Sequence, residues 1–123
     1  MNYLLMSAGI LSIAIGLVHS ILGEFLIFKN LRNGSLVPNI SLLPLKERNI
    51  RILWATWHLA SILGFAMGAI LIQLAMTPEP STFIIQAIAL SMLLGSVLVF
   101  YATKAKHPGW VGLLGVTVLC WLA

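Results

Sequence analysis

Read for its apolar and polar positions, the chain resolves into four apolar runs, residues 3–28, 50–76, 81–103 and 108–122, divided by one long break and two short ones. The first run, Tyr3 to Phe28, holds 26 residues, enough to span about 30 Å of hydrocarbon as a tilted helix. Its small and polar residues are not scattered. Gly9, Ser12, Gly16, His19 and Gly23 follow one another at spacings of 3, 4, 3 and 4, which sets them on one helical face. In lipid such a stripe is where a neighbouring helix packs closely, so His19 is expected to face protein. Glu24 lies five residues beyond His19, about 140° further round the helix, and does not share its face squarely.

The second run, Ile50 to Met76, carries the ladder Ala60, Gly64 and Gly68, with His58 and Ser61 beside it. Trp54 and Trp57 sit one to two turns in, where an aromatic belt is expected. Thr77-Pro78-Glu79-Pro80-Ser81 reads as a turn whose prolines occupy first-turn positions of the next helix, with Glu79 at its positive end. The third run has Ala87, Ser91 and Gly95 as a further ladder, and Lys104 to Gly109 breaks the chain before the fourth. Counted from Pro108, the fourth run reaches only about 24 Å as a helix, so it must stand upright or thin the bilayer locally.

The break between the first two runs, residues 29–49, contains Asn33-Gly34, Pro38 and Pro44, yet Leu36, Ile40, Leu42 and Leu43 make it unusually apolar. It reads as an interfacial segment anchored by Lys29, Arg32, Lys46 and Arg48. Pro44 is expected to open a short polar extension of the second helix, in which Glu47 and Arg51 form an i,i+4 pair.

Composition then fixes the class. With 60% hydrophobic and 8% charged residues, the chain cannot cover a soluble surface. The expected architecture is a single all-α domain, 1–123: a four-transmembrane-helix bundle with antiparallel neighbours, in contact with the lipid bilayer. All seven Lys and Arg, at 29, 32, 46, 48, 51, 104 and 106, fall in or directly beside the breaks on one side. The positive-inside rule therefore predicts an integral plasma (inner) membrane protein with cytoplasmic charged loops and both termini outside. The net charge of +4 reads as topology signal and as contact with anionic headgroups through Lys29, Arg32, Lys46, Arg48, Lys104 and Lys106, not as a nucleic-acid surface. Met1-Asn2-Tyr3 lacks a positive n-region, so the first run is expected to stay in the mature protein. The single Cys120 excludes an internal disulfide and reads as a buried thiol.

The candidate chemistry gathers in two stretches, Val18 to Glu24 and Arg51 to His58. Counted from Phe28 and Ile50, His19 and His58 both lie about 12 to 14 Å below the cytoplasmic surface, and the two rings are expected to share a cavity. Three readings compete for this cluster. In the structural one, His19 hydrogen-bonds Ser61 or a backbone carbonyl and Glu24 pairs with Arg51, locking helices together. In the ligand reading, His19, His58, Glu24, Arg51 and Trp54 bind a cofactor or lipidic ligand, haem b or a quinone. Gly16 and Gly23 then leave a flat surface beside His19. The protein would act alone, as a homo-oligomer, or as an accessory subunit of a larger membrane complex. In the transport reading, Glu24 or His19 is a protonatable coupling residue. Four short spans resemble the small multidrug resistance transporters in outline only: there the essential acid lies mid-span, whereas Glu24 is near the rim and the first loop has 21 residues.

A zinc site fits less well, because it needs four ligands. No Ser-His-Asp, H-E-x-x-H or Walker pattern occurs, so an enzyme is not the favoured reading. Ser20 follows His19 directly, and helical neighbours point about 100° apart, so those two cannot form a catalytic pair. The ligand reading is preferred, with the structural one second and transport third.

Overall fold

A computed structural model describes residues 1–123 and is all-helical. Four α-helices run α1 (Tyr3–Leu26), α2 (Glu47–Met76), α3 (Thr82–Thr103) and α4 (Gly109–Leu122), with a 3-10 turn at Phe28–Leu31 after α1. Helices α1, α2 and α3, of 24, 30 and 22 residues, are long and apolar enough to cross a membrane. The fourth is apolar but has only 14 residues, about 21 Å of helix. Large apolar side chains such as Phe83, Leu98 and Tyr101 lie exposed at 79, 67 and 83%, as lipid-facing residues would and water-facing ones rarely do.

The chain divides into two compact units, residues 1–15 with 64–123, and residues 16–63. In the first unit, the N-terminal part of α1 pairs antiparallel with the C-terminal part of α2. Asn2 N donates to the Ala75 carbonyl at 2.8 Å, and Ser12 Oγ donates to the Gly64 carbonyl at 2.9 Å. Between them the backbones nearly touch. A Cβ placed on Gly9 would lie 2.7 Å from the Gly68 carbonyl oxygen, and one on Gly68 would lie 2.7 Å from that of Gly9. The glycine stripes do here what small residues do in lipid, letting dispersion contacts form between main chains. Asn2 also caps α1, its Oδ1 accepting from Leu4 N and Leu5 N, while its Nδ2 donates to the Ala123 carbonyl.

Helices α3 and α4 complete this unit, also antiparallel. Ser96 Oγ donates to the Trp110 carbonyl at 2.7 Å and Thr117 Oγ1 to that of Ala89 at 3.3 Å. These hydroxyls are buried, and each satisfies itself on main chain, as a buried polar group must. The core around them is apolar, with Leu5, Leu71, Ala89, Val116 and Cys120 almost wholly covered. The turn from α3 to α4 is sharp. Lys104 and Ala105 both take positive φ, 52° and 62°, while Ala105 N donates to the Phe100 carbonyl and Lys104 N to that of Tyr101.

The second unit holds the rest of α1 and α2 and the segment joining them. Leu31 to Asn39 closes on itself. Asn39 N and Ile40 N donate to the Leu31 carbonyl, and the Asn39 side chain accepts from Asn33 N and donates to the Asn33 carbonyl, with Gly34, φ 66°, following. Leu36 and Leu43 project outward, 78 and 92% exposed.

Two local expectations are corrected. Pro44 does not open α2: it lies in the turn closed by Leu45 N donating to the Leu42 carbonyl, and the helix starts at Glu47. Pro78 and Pro80 are not in the first turn of α3, because Ser81 caps that helix by accepting from Ile84 N and Thr82 opens it. A serine hydroxyl satisfies a first-turn N–H, which a proline in that place cannot.

Candidate functional site

The polar residues of the second unit converge on one carboxylate. Ser20 and Glu24 are four residues apart on α1, and Trp54, His58 and Ser61 stand at spacings of four and three on α2, so each set shares a helical face. The two helices run antiparallel here, and these faces meet. Glu24 Oε1 accepts from Trp54 Nε1 at 2.6 Å and lies 2.9 Å from His58 Nε2. Its other oxygen, Oε2, lies 2.7 Å from Arg32 Nη2. The opposite nitrogen of His58, Nδ1, is 2.8 Å from Ser20 Oγ, which in turn is 2.7 Å from the Oγ of buried Ser61. The result is an ion pair, Arg32 with Glu24, continued by a line of hydrogen-bonding groups: Glu24, His58, Ser20 and Ser61.

Two proton arrangements satisfy this line. An ionised Glu24 is acceptor only, so His58 Nε2 must carry a hydrogen. With His58 neutral, Nδ1 accepts from the Ser20 hydroxyl and Ser61 donates to Ser20. With His58 protonated, Nδ1 donates to Ser20, and Ser20 donates to Ser61. One proton taken up at His58 therefore reverses the direction of both hydroxyl bonds.

Aromatic rings wall the cluster. The Trp54 ring stands edge-on to His58, centroids 5.0 Å apart, and Phe28 lies 6.2 Å away. His19 has different neighbours: its ring stacks on Trp57 at 4.4 Å and 6°, and its carbonyl accepts from Trp57 Nε1 at 2.9 Å. Gly23 makes room for that indole. A Cβ there would run into Trp57 Nε1 and come within 2.7 Å of Cδ1. Gly16 is buried on the same helix.

The expected ion pair between Glu24 and Arg51 is not formed. Arg51 reaches back along its own helix to Glu47 at 3.5 Å, both about half exposed. The cation on Glu24 is Arg32, which sequence reading assigned to headgroups. The 3-10 turn at Phe28–Leu31 folds the chain back after α1, and Arg32 follows it directly. Nor are Trp54 and Trp57 a simple interfacial belt, since both indole N–H groups are spent on acceptors of α1. Ser61 meets Ser20. The signal for Ser20 was present in the sequence: its i,i+4 spacing to Glu24, which a comparison with adjacent His19 alone passes over.

One donor is left over. Arg32 Nη2 is close enough to Glu24 for an ion pair but lacks the alignment of a hydrogen bond, and Nε is buried with no acceptor in the protein. A haem ligand must aim a nitrogen lone pair at iron, and both ring nitrogens of His58 are already engaged, so axial ligation would break one of its bonds. No three His, Cys, Asp or Glu side chains converge as a metal site. Elsewhere in this unit, Leu45, Arg48, Asn49, Ile52 and Leu53 line a groove of about 260 Å³.

No protein-family model matches the chain, no curated protein is similar to it in sequence, and no solved structure matches it.

Proposed function

We propose that this chain is a multi-pass plasma (inner) membrane protein that binds a lipidic ligand at the cluster of Glu24, His58, Arg32 and Trp54. Its four helices form a bundle in the bilayer, its charged loops face the cytoplasm, and both termini lie outside. The sidedness is supported by the confinement of all seven Lys and Arg to residues 29–51 and 104–106. The ligand head presents an oxygen acceptor, such as a quinone carbonyl or a lipid ester or phosphoryl oxygen. The observation that carries this reading is the buried Nε–H of Arg32, a donor without an acceptor beside a carboxylate–imidazole pair. Burying such a donor unmatched costs about 1–3 kcal/mol, which a bound oxygen removes. The groove at Arg48 and Asn49 suits an anionic headgroup, with acyl carbons along Ile52 and Leu53. A purely structural role is the second reading, supported by the three partners that Glu24 already has.

The test is native mass spectrometry of the protein released from phosphatidylglycerol nanodiscs, with and without added decylbenzoquinone. Wild type should retain lipid or quinone at one molar equivalent, and Arg32→Ala should lose it. Equal retention by the two folded proteins would favour the structural reading. Reporters fused at Ala123 should read as external and those inserted at 33–40 as cytoplasmic. The reverse labelling would overturn the orientation and the site's sidedness.

A further inference from the structure

The line Glu24–His58–Ser20 has the connectivity of an acid–base–nucleophile relay. A carboxylate holds one imidazole nitrogen at 2.9 Å, and the other nitrogen stands 2.8 Å from a serine hydroxyl. The carboxylate is fixed further by the Trp54 N–H, which donates to it at 2.6 Å, and by the charge of Arg32, paired with it at 2.7 Å. Glu24 is thereby held as an acceptor, which keeps the hydrogen on Nε2 and leaves the Nδ1 lone pair of neutral His58 facing Ser20. The imidazole is attached the other way round from the familiar Ser-His-Asp arrangement, in which the acid holds Nδ1. The two nitrogens serve equally once one is protonated and the other bears the lone pair. A serine hydroxyl in a lipid-facing helix commonly bonds to its own i−4 carbonyl, as Ser91 does here with Ala87. Ser20 instead stands between an imidazole and a second hydroxyl.

We infer that Ser20 is a nucleophile for acyl transfer from a membrane-lipid ester, with His58 as its general base and Glu24 as the group that orients His58. The inference rests on the ligand-binding reading above and names the ligand's chemical class. Ser20 Oγ attacks the ester carbonyl carbon while its proton passes to His58 Nδ1. The ester C–O bond breaks, and the departing alcohol oxygen takes that proton from His58. Water then attacks the acyl-Ser20 carbonyl, giving its proton to His58 Nδ1, and the Ser20–acyl bond breaks as that proton returns to Ser20. The products are a carboxylic acid and an alcohol, and no electrons are exchanged. Mid-helix backbone N–H groups are already used within α1, so the developing oxyanion needs a side-chain donor. The Ser61 hydroxyl, 2.7 Å from Ser20 Oγ, is the one in place.

The full-length protein in phosphatidylglycerol nanodiscs is treated with an alkyl fluorophosphonate, and the adduct is mapped by peptide mass spectrometry. Wild type should carry one adduct, on Ser20. The adduct should vanish in Ser20→Ala and form about 100-fold or more slowly in His58→Gln, the usual scale of general-base assistance. Glu24→Gln, which keeps the shape of the side chain, should slow it as well. Mapping in unaltered protein keeps the test independent of whether any variant folds. Wild type that retains lipid yet forms no adduct, or forms one on another residue, would overturn the nucleophile. So would labelling of Ser20 at an unchanged rate in folded His58→Gln. Labelling at Ser20 in protein that retains no lipid would instead sink the ligand-binding reading and leave the nucleophile standing.

Discussion

Removing the Glu24 carboxylate tests the structure at its most connected point. Glu24→Ala deletes contacts to Trp54, His58 and Arg32 together and leaves the Arg32 guanidinium with no counter-charge. Hydrogen bonds to a charged group contribute about 1.5–3 kcal/mol each in buried sites, but cycles across membrane helices average only about 0.6. The Arg32 and Glu24 side chains are 23 and 29% exposed, which argues for the lower part of that range. Summed over three contacts and the stranded cation, the expected loss is about 2–4 kcal/mol. Arg32→Ala removes one contact and leaves Glu24 its other two, so its loss should be about 1–2 kcal/mol. The double variant should be little worse than Glu24→Ala alone, giving a coupling energy of about 1–2 kcal/mol. The same cycle run between Glu24 and Arg51 should give nothing measurable, because Arg51 is committed to Glu47 in an exposed helical pair that itself contributes about 0.5 kcal/mol at most. Reversible unfolding in mixed detergent micelles, followed by circular dichroism, supplies the four stabilities of each cycle. Strict additivity for Glu24 and Arg32, or a larger coupling for Glu24 and Arg51, would refute the arrangement.

Gly23→Ala should destabilise by about 1–3 kcal/mol, since its methyl meets an indole that a hydrogen bond and a stacked imidazole hold in place, while Gly64→Ala, with only the Ser12 carbonyl at 3.8 Å, should be near neutral; the same unfolding assay compares them. Cys120 is 4% exposed, so maleimide should modify it only as fast as its unit opens, and immediate full labelling of the folded protein would contradict the packing of α4.

The helices were legible because apolar run length translates directly into helix. The stripes Gly9–Ser12 and Gly64–Gly68 likewise announced where α1 and α2 approach, since small side chains at spacings of three and four have few other uses in lipid. The cluster was half legible. Glu24 and His58 stood out as ionisable groups among apolar neighbours, and such groups need partners. Arg32 did not, because its position depends on how the 3-10 turn redirects the chain, and no local pattern encodes that direction. Trp54 and Trp57 misled for a related reason. An indole near a helix end suits the bilayer interface and an internal acceptor equally well, and only the facing helix decides which it meets.

The turn at Lys104 and Ala105 has a bearing on how this protein can change over time. Two consecutive non-glycine residues in the left-handed region cost about 1–2 kcal/mol apiece relative to the right-handed form. The hydrogen bonds to the Phe100 and Tyr101 carbonyls, and the packing of α4 back against α3, offset that cost. The local sequence is therefore at odds with its own backbone, and the discord is tolerated because the helices on either side impose it. A glycine at either place would relax the conflict without touching a single packed atom. The molecule thus carries a small unused reserve of stability in the α3–α4 turn, available to compensate for destabilising substitutions elsewhere that would otherwise be lost to selection.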